Sequence, residues 1–214
     1  MTSFGERVRG QLRQELLAAA AAIVVEGGWA RLRMQAIADE VGVSRRTVYN
    51  EFGSKPKLAE ALILQVTERF LDEVEQVFLA ASDPATGWRD AVSSTLRAAE
   101  TDPLLVTVLT GAESADFLPL LTSDSAAVVD HASARMAGTV LRRWPEIPPG
   151  PARLACESTV RLALSHIVRP GGSVGDAAHD IAELVVGYLA GVADPAAESG
   201  DDVRARVPQQ SGHS

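Results

Sequence analysis

Residues 42–58 read GVSRRTVYNEFGSKPKL, and this segment has the spacing of the second half of a helix-turn-helix. Gly42 lies where a tight turn between two helices needs a positive φ, which glycine adopts without strain. Ser44 can cap the following helix by accepting a hydrogen bond from a backbone N–H. The pattern therefore predicts two short helices, over 34–41 and 45–52.

The second of these helices has one apolar and one polar face. Val48 and Phe52 lie four residues apart, so both point toward the preceding helices. At about 100° per residue, Arg46 and Asn50 point outward and Tyr49 lies beside them. A guanidinium, an amide and a phenol on an exposed helix suit the base edges and phosphates of a DNA major groove.

Further candidate DNA contacts lie within and next to this helix. Thr47 and Tyr49 offer hydroxyl groups to phosphates, and Lys55 adds a cation at the start of the next helix. The pattern thus predicts a DNA-binding surface. Its candidate residues are Arg33, Ser44, Arg45, Arg46, Thr47, Tyr49, Asn50 and Lys55.

Charge is unevenly distributed along the chain. The net charge is −8, yet residues 1–57 hold nine basic and six acidic side chains. The remaining residues hold eleven basic and twenty-two acidic ones. A basic end on an acidic body indicates that the first part meets a polyanion while the rest has another role.

Residues 37–58, IADEVGVSRRTVYNEFGSKPKL, resemble the DNA-binding region of the TetR family of bacterial transcriptional repressors. Each position of the pattern common in that family, I-A-x-x-x-G-V-S-x-x-T-x-Y-x-x-F-x-x-K-x-x-L, is matched in register. The resemblance implies a three-helix DNA-binding domain, joined by a long fourth helix to a helical domain for ligand binding and dimerisation. The motif itself covers 22 of the 214 residues, about a tenth of the chain.

Three positions depart from usage common in that family. Arg46 stands where glycine is frequent, which favours base reading by its side chain over close approach of the backbone. Glu51 stands where histidine is frequent, and Arg33 where a threonine often caps the second helix. These differences bear on the expected operator sequence and not on the expectation of DNA binding.

Helical spacing recurs throughout the chain and strand patterns are scarce, so the predicted fold class is all-α with about nine helices. The first helix has an apolar stripe and ends at Gly27-Gly28; the stripe is Val8, Leu12, Leu16, Ala19 and Ile23. A long helix follows Ser54 and reaches about Ala80, with an apolar stripe of Leu58, Leu62, Val66, Phe70, Val74 and Phe78. Later helices are predicted over 85–99, 102–110, 113–121, 123–144, 151–168 and 174–192.

The expected domain organisation has three parts. Residues 1–54 are predicted to form the DNA-binding domain and residues 55–193 the helical effector-binding and dimerisation domain. Residues 194–214 are polar and rich in Gly, Pro, Asp and Ser, which is typical of a disordered tail.

The middle helices are apolar and poor in buried charge, which favours a pocket for a hydrophobic effector. The candidate lining residues are Phe70, Val74, Leu105, Leu109, Phe117, Leu118, Met136 and Leu162. Ordinary core packing is the alternative for each of them. Arg161 and His166 are candidates for contact with a polar ligand end, with a surface or interface role as the alternative.

The last two helices are predicted to form a homodimer interface, because small residues there permit close approach of helices and apolar ones supply area. The candidate interface residues are Leu164, Ile167, Val185, Val186 and Leu189. Each chain has one recognition helix, so a palindromic operator read by a dimer or a pair of dimers is expected.

Motifs of other protein classes are missing from the sequence. There is no Gly-rich phosphate loop, and His131, His166 and His179 lack partners at metal-binding spacing, so neither an enzyme, a cofactor nor a metal is expected. The single cysteine, Cys156, excludes an internal disulfide, fits a reducing cytoplasm and is expected to pack as a small hydrophobe. The longest apolar run, 16–25, is too short to span a bilayer.

The sequence therefore predicts a DNA-binding regulator, and its resemblance to the TetR family implies a repressor that a small hydrophobic effector releases from its operator. Two alternatives stay open at this point. One is a transcriptional activator, because the pattern shows DNA binding alone. The other is a helical adaptor that binds only protein.

Overall fold

The computed structural model describes residues 4–110 and 118–193, and the regular structure of these residues is entirely helical. This confirms the predicted all-α class. Nine helices of the described part have eight residues or more, α7 has four, and a 3₁₀ turn, Trp29–Arg31, follows α1. The helices are α1 (Phe4–Gly27), α2 (Met34–Val41), α3 (Arg45–Phe52), α4 (Lys55–Ala80), α5 (Pro84–Thr101), α6 (Pro103–Thr110), α7 (Leu118–Leu121), α8 (Ala126–Arg143), α9 (Pro149–Val168) and α10 (Val174–Ala193).

Most predicted helix boundaries fall within three residues of the observed ones, and the differences have local causes. The α9 helix begins earlier than predicted because proline is tolerated in a first helical turn. The α8 helix begins later, because the preceding residues form a turn in which the Asp124 N–H donates to the Pro119 carbonyl over 2.6 Å. Most of the predicted helix 113–121 and all of the tail 194–214 lie outside the described residues.

The predicted stripe of α1 is confirmed except at its N-terminal end: Leu16 and Ala19 are buried, and Leu12 and Ile23 are half-buried. Val8 is 49% exposed, whereas Leu16, Ala20 and Val24 are fully buried. Residues 4–11 are all exposed, since no described helix covers the first two turns of α1. The buried stripe therefore begins where α1 meets α2, α4 and α6.

The α2 and α3 helices cross as the sequence predicts. Gly42 has φ 76° and ends α2, and the N–H of Val43 donates to the Ala38 carbonyl over 2.9 Å. Ala38 and Val48 are completely buried between the helices. Hydrophobic packing of this kind fixes the angle at which α3 is presented to solvent.

The long α4 helix joins the two halves of the molecule. Its predicted stripe is confirmed, with all but Phe70 of its six residues buried and Phe70 half-buried. The N-terminal half of α4 packs in one hydrophobic cluster with α1, α2 and α3, and its C-terminal half packs in a second cluster with α5, α8, α9 and α10. The first cluster also contains Leu105 of α6, so the apolar core continues past residue 54.

Ion pairs attach α4 to α8 along one edge. Arg135 of α8 binds Glu68 over 2.5 Å and also contacts Asp72 and Glu75. Arg142, two turns further along α8, binds Glu75 over 2.6 Å. These contacts fix the relative position of the two helices over about two turns of α4.

The second cluster is built around three aromatic rings. Phe78 packs edge-on against Trp88 and Trp144, with ring centroids 5.2 and 5.7 Å away. Gly87 is required there, because a Cβ atom at this position would lie 2.7 Å from the Trp144 ring. Cys156 is fully buried, and burial raises the pKa of its thiol to about 12, so it packs as the small hydrophobe that the sequence predicts. No described helix is long and apolar enough to cross a membrane.

Candidate DNA-binding surface and effector cavity

Local chemistry of the sequence determines where α3 begins. The Ser44 hydroxyl oxygen accepts a hydrogen bond from the N–H of Thr47 over 3.1 Å, which caps the helix. The hydroxyl groups of Ser44 and Thr47 are also 2.8 Å apart. Ser44 is thus occupied with the helix terminus, and Thr47 is half-buried beside it.

The outward face of α3 carries the side chains that the sequence assigns to DNA. Arg46 and Asn50 are exposed and make no hydrogen bond or ion pair within residues 4–110 and 118–193. Arg45 lies over the Tyr49 ring, 5.2 Å from its centroid, and donates a hydrogen bond to its hydroxyl group over 3.3 Å. The helix therefore presents two uncommitted polar side chains next to an ordered arginine–tyrosine pair.

The two remaining candidates lie at the edge of this surface and contact the protein itself. Lys55 donates from Nζ to the Trp29 carbonyl over 2.7 Å and lies 4.6 Å from the centroid of the Trp29 ring. Arg33 donates to the carbonyl groups of Ala30 and Leu32, so it holds the 3₁₀ turn. Both side chains brace the turn between α1 and α2.

The sequence analysis did not predict the clasp between α1 and α3, which consists of Arg9, Arg13 and Glu51. Glu51 accepts hydrogen bonds from Arg13 over 2.8 Å and from Arg9 over 3.2 Å. Partial burial raises the pKa of Glu51, but hydrogen bonds from Arg13 and Arg9 lower it by more, so the carboxyl group has a pKa below its usual range. Arg13 also covers the Phe52 ring at 4.9 Å. The available signal was the four-residue spacing of Arg9 and Arg13, which places both on one face of α1.

The middle helices enclose an apolar cavity of about 90 Å³. It lies between α4, α5, α8 and α9, and α6 and α7 each contribute one leucine, Leu105 and Leu121. No charged side chain lines it among the described residues. A ligand bound there would meet hydrocarbon on almost every side.

Four of the eight residues predicted for the effector pocket line this cavity: Phe70, Val74, Leu105 and Met136. Leu109 lines a neighbouring hollow instead, and Leu162 packs against the second hydrophobic cluster. Phe117 and the side chain of Leu118 lie outside the described residues. The sequence interpretation missed several lining residues, among them Ile63, Leu71, Leu121, Val160 and Ala163.

The residues predicted for the dimer interface mostly face their own chain. Leu164 and Ile167 line the cavity, and Val185 is 1% exposed within the second cluster, so it offers no surface to a partner. Val186 and Leu189 are half-buried against the same cluster.

The apolar surface of these two helices is carried by other residues. Leu154 of α9 is 51% exposed, and Leu184 of α10 is 61% exposed. Tyr188 and Val192 continue the exposed stripe along α10. The predicted interface residues are therefore less exposed than these neighbours, and the dimer interface itself stays a prediction.

Comparison with known proteins agrees with this architecture. Residues 16–62 match the model of bacterial regulatory proteins of the tetR family, and residues 83–187 match the C-terminal domain model of the bacterial tetracyclin repressor. The chain is 31% identical to the HTH-type transcriptional regulator AlkX of Mycobacterium tuberculosis over 190 residues, covering 86% of this chain and 88% of that protein. It is 26% identical to the HTH-type transcriptional repressor KstR of Mycolicibacterium smegmatis, covering 69% of this chain and 70% of that protein.

A solved structure supports the same relationship. The TetR family repressor AlkX from Dietzia sp. strain DQ12-45-1b, implicated in biodegradation of n-alkanes, superposes with a TM-score of 0.73. The two sequences are 26% identical, and the alignment covers 83% of this chain and 97% of that one.

Proposed function

Because the chain belongs to the TetR family of bacterial transcriptional regulators, we propose that it is a repressor released from a palindromic operator by a small apolar effector. The observation that carries the proposal is that a single helix, α4, connects α3 to the apolar cavity. The α4 helix follows α3 after only two residues, and it lines the cavity with Val66, Phe70 and Val74. A ligand that displaces α4 at the cavity can therefore also displace α3, the recognition helix.

The outward face of α3 supports reading of a short DNA sequence. Arg46 and Asn50 are exposed on this face, and an arginine can donate two hydrogen bonds to guanine while an asparagine can pair with adenine. We expect the Tyr49 hydroxyl and the exposed Ser44, which caps α3, to contact the phosphates that flank the groove. Since its target is chromosomal DNA, we place the action of the protein in the cytoplasm.

Members of this family bind their operators as dimers, and we assign the interface of this chain to the exposed faces of α9 and α10. Leu154, Leu184 and Tyr188 supply exposed apolar area on adjacent helices. Gly187 is exposed, and no atom lies within 4 Å of the position that its Cβ would take, so a partner helix can approach closely. Two chains joined there would place two α3 helices in successive major grooves, roughly 34–36 Å apart or a multiple of that distance.

The size of the cavity explains how an effector would act. At about 90 Å³ it is smaller than the roughly 300 Å³ at which ordinary ligand sites begin. A chain-like ligand can enter only by moving the helices apart. Arg135 attaches α4 to α8. When a ligand pushes the helices apart, we therefore expect α4 to tilt at its N-terminal half, the end that is joined to α3. Such a tilt changes the spacing of the two DNA-binding heads in the dimer.

The chemical class of the effector follows from the lining. Hydrocarbon walls favour an aliphatic compound, which agrees with the link of the Dietzia relative to n-alkane biodegradation. Each methylene group buried contributes about 0.8 kcal/mol. The affinity for linear compounds should therefore rise with chain length until the expanded cavity is full.

The proposal is tested with purified protein and the DNA upstream of its own gene. Fluorescence anisotropy should show specific binding that weakens steeply with salt, and 1-hexanol, 1-octanol and 1-decanol should release the DNA in order of increasing potency. Transcription from the same DNA should fall when protein is added. Specific binding that raises transcription would identify an activator, and lack of specific binding would favour the protein-binding adaptor.

A further inference from the structure

We infer that the effector is an anionic amphiphile whose charged end lies between Arg161 and Arg169, outside the cavity, while its chain passes Leu121 and Leu164 into the cavity. This inference rests on the proposed function, because it assumes that the cavity is the effector site. It adds three points to the proposed function: the sign of the effector's charge, the residues that bind its charged end, and the path of its hydrocarbon chain.

Among the described residues, the lining of the cavity offers no free hydrogen-bond donor to a polar group. Its three hydroxyl groups belong to threonines, and each already donates to a carbonyl one turn earlier in its own helix: Thr67 to Ile63 over 2.9 Å, Thr95 to Ala91 over 2.9 Å and Thr159 to Ala155 over 2.8 Å. An anion buried without donors is strongly destabilised. A charged end must therefore remain outside the apolar space.

A surface hollow of about 290 Å³ adjoins the cavity and provides what the cavity lacks. The two spaces share Leu121 of α7 and Leu164 of α9, which line both. Arg161 and Ser165 of α9, together with Arg169, which directly follows α9, contribute polar groups to the hollow. Leu121 and Leu164 thus separate the apolar cavity from a hollow that is lined by guanidinium groups. This arrangement fits a molecule with a hydrocarbon chain and an anionic end.

Both arginines are available for a ligand. Arg169 makes no hydrogen bond or ion pair through its side chain within the described ranges. Arg161 binds Glu157 one turn earlier on the same helix over 2.8 Å, and both side chains are about half exposed. Exposed pairs of this kind contribute little to stability, so exchanging Glu157 for a ligand carboxylate carries a small penalty. A guanidinium group can hold a carboxylate with two parallel hydrogen bonds.

The other hollow next to the cavity is less suited to an anion. It lies on the opposite side of α9, shares Ile167 with the cavity and has a volume of about 270 Å³. Its ionisable side chains are Glu100 and His166. The carboxylate of Glu100 would repel an anionic end, so the arginine hollow is the favoured position.

The test uses three eight-carbon probes that differ only in their polar end: octanoate, 1-octanol and octylammonium. Binding to the full-length protein is measured by calorimetry, and release of operator DNA by anisotropy. Octanoate should bind most tightly and octylammonium least. The substitutions Arg161→Gln and Arg169→Gln should each weaken octanoate binding roughly tenfold and leave 1-octanol binding unchanged.

Arg153→Gln is the matched control, because Arg153 is exposed on the same helix and lines neither hollow. It removes the same charge and should bind octanoate like the unaltered protein. A selective effect of Arg161 and Arg169 supports the inference.

Three results would overturn the inference. Equal affinity for octanoate and 1-octanol would show that the protein has no site for a charged end, while still supporting an apolar effector site. Loss of octanoate binding in His166→Gln instead would move the polar end to the other hollow. Failure of all three probes to bind would reject the proposed effector site as well.

Discussion

Arg13 of α1 donates a hydrogen bond to the carboxylate of Glu51 on α3 across 2.8 Å, although the two residues are 38 positions apart in the chain. With Arg9, this pair ties the recognition helix to the first helix of the protein. The clasp lies on the side of α3 away from Arg46 and Asn50. It therefore sets the direction of the recognition helix without occupying its outward face.

The clasp predicts a pH-dependent contribution to stability. The pKa of Glu51 is lowered in the folded protein, so its contribution is present above the unfolded value of 4.5 and is lost as the pH falls through the folded pKa. Glu51→Gln should lower the free energy of unfolding at pH 7 by about 1 kcal/mol, because two charge-assisted hydrogen bonds are weakened. Urea unfolding from pH 7 to pH 3 measures this difference.

The control for this experiment is Glu40→Gln. Glu40 is exposed on α2 and makes no side-chain hydrogen bond or ion pair in the part of the chain that the structure describes. The deficit of Glu51→Gln in free energy of unfolding should shrink in acid. The control Glu40→Gln should have the same free energy of unfolding as the unaltered protein throughout. A deficit that is constant across this pH range would show that charge is not its cause.

Arg46 should read a base. It is exposed, uncommitted within residues 4–110 and 118–193, and located in the first turn of α3. A bidentate contact with guanine contributes about 1–3 kcal/mol of discrimination. Selection of bound sequences from a random pool should show that Arg46→Ala relaxes the preference at one symmetric pair of positions. Identical selected motifs, with uniformly weaker binding, would assign Arg46 to a phosphate instead.

Lys55 should have two roles. Its ammonium group donates to the Trp29 carbonyl, and Lys55 is the first residue of α4, where the helix N-terminus favours a phosphate. Lys55→Ala should lower the melting temperature and also flatten the slope of log K against log salt by about one unit, since each neutralised phosphate contributes about −0.9. Lys57→Ala is the control, because Lys57 pairs with Glu60 on the exposed side of α4. A lower melting temperature with an unchanged slope would leave Lys55 only its structural role.

How much could be predicted from sequence differs between the two ends of the molecule. The outward face of α3 was predictable because local chemistry determines it: Gly42 permits the turn, Ser44 caps the helix, and Val48 fixes its rotation. The contacts of Lys55 and Glu51 were not, because both partners lie far along the chain on α1 or just after it. Pairing across such distances depends on how the helices pack.

Periodicity was also insufficient for α9. Apolar residues occur on most of its sides, so the pattern could not distinguish the stripe that lines the cavity from the stripe left exposed. Leu164 and Leu154 are equivalent by composition, yet Leu164 lines the cavity and Leu154 is 51% exposed. Packing against α7 and α8 decides between them.

Filling the cavity should separate effector response from DNA binding. Ala132 of α8 is buried at the cavity wall, so Ala132→Leu can place its new methyl groups in empty space and should leave stability nearly unchanged. The same change at Ala155, which is buried and does not line the cavity, should destabilise the protein by about 1–3 kcal/mol through overpacking. In anisotropy measurements, Ala132→Leu should bind the operator normally and resist release by 1-octanol. Normal release by 1-octanol would place the effector elsewhere.

Leu184 should be a central contact of the dimer. It is the most exposed large apolar side chain of α10, and Tyr188 lies one turn further on the same face. Leu184→Glu would place a carboxylate in the interface proposed for α9 and α10, where its desolvation is unfavourable. Sedimentation at micromolar concentration should show the variant as a monomer and the unaltered protein as a dimer.

Leu79→Glu is the control, since Leu79 is 46% exposed at the end of α4 and outside α9 and α10. A monomer reads only one half-site, so operator affinity should fall with Leu184→Glu and stay unchanged with Leu79→Glu. A Leu184→Glu variant that remains dimeric would exclude the α10 face as the interface.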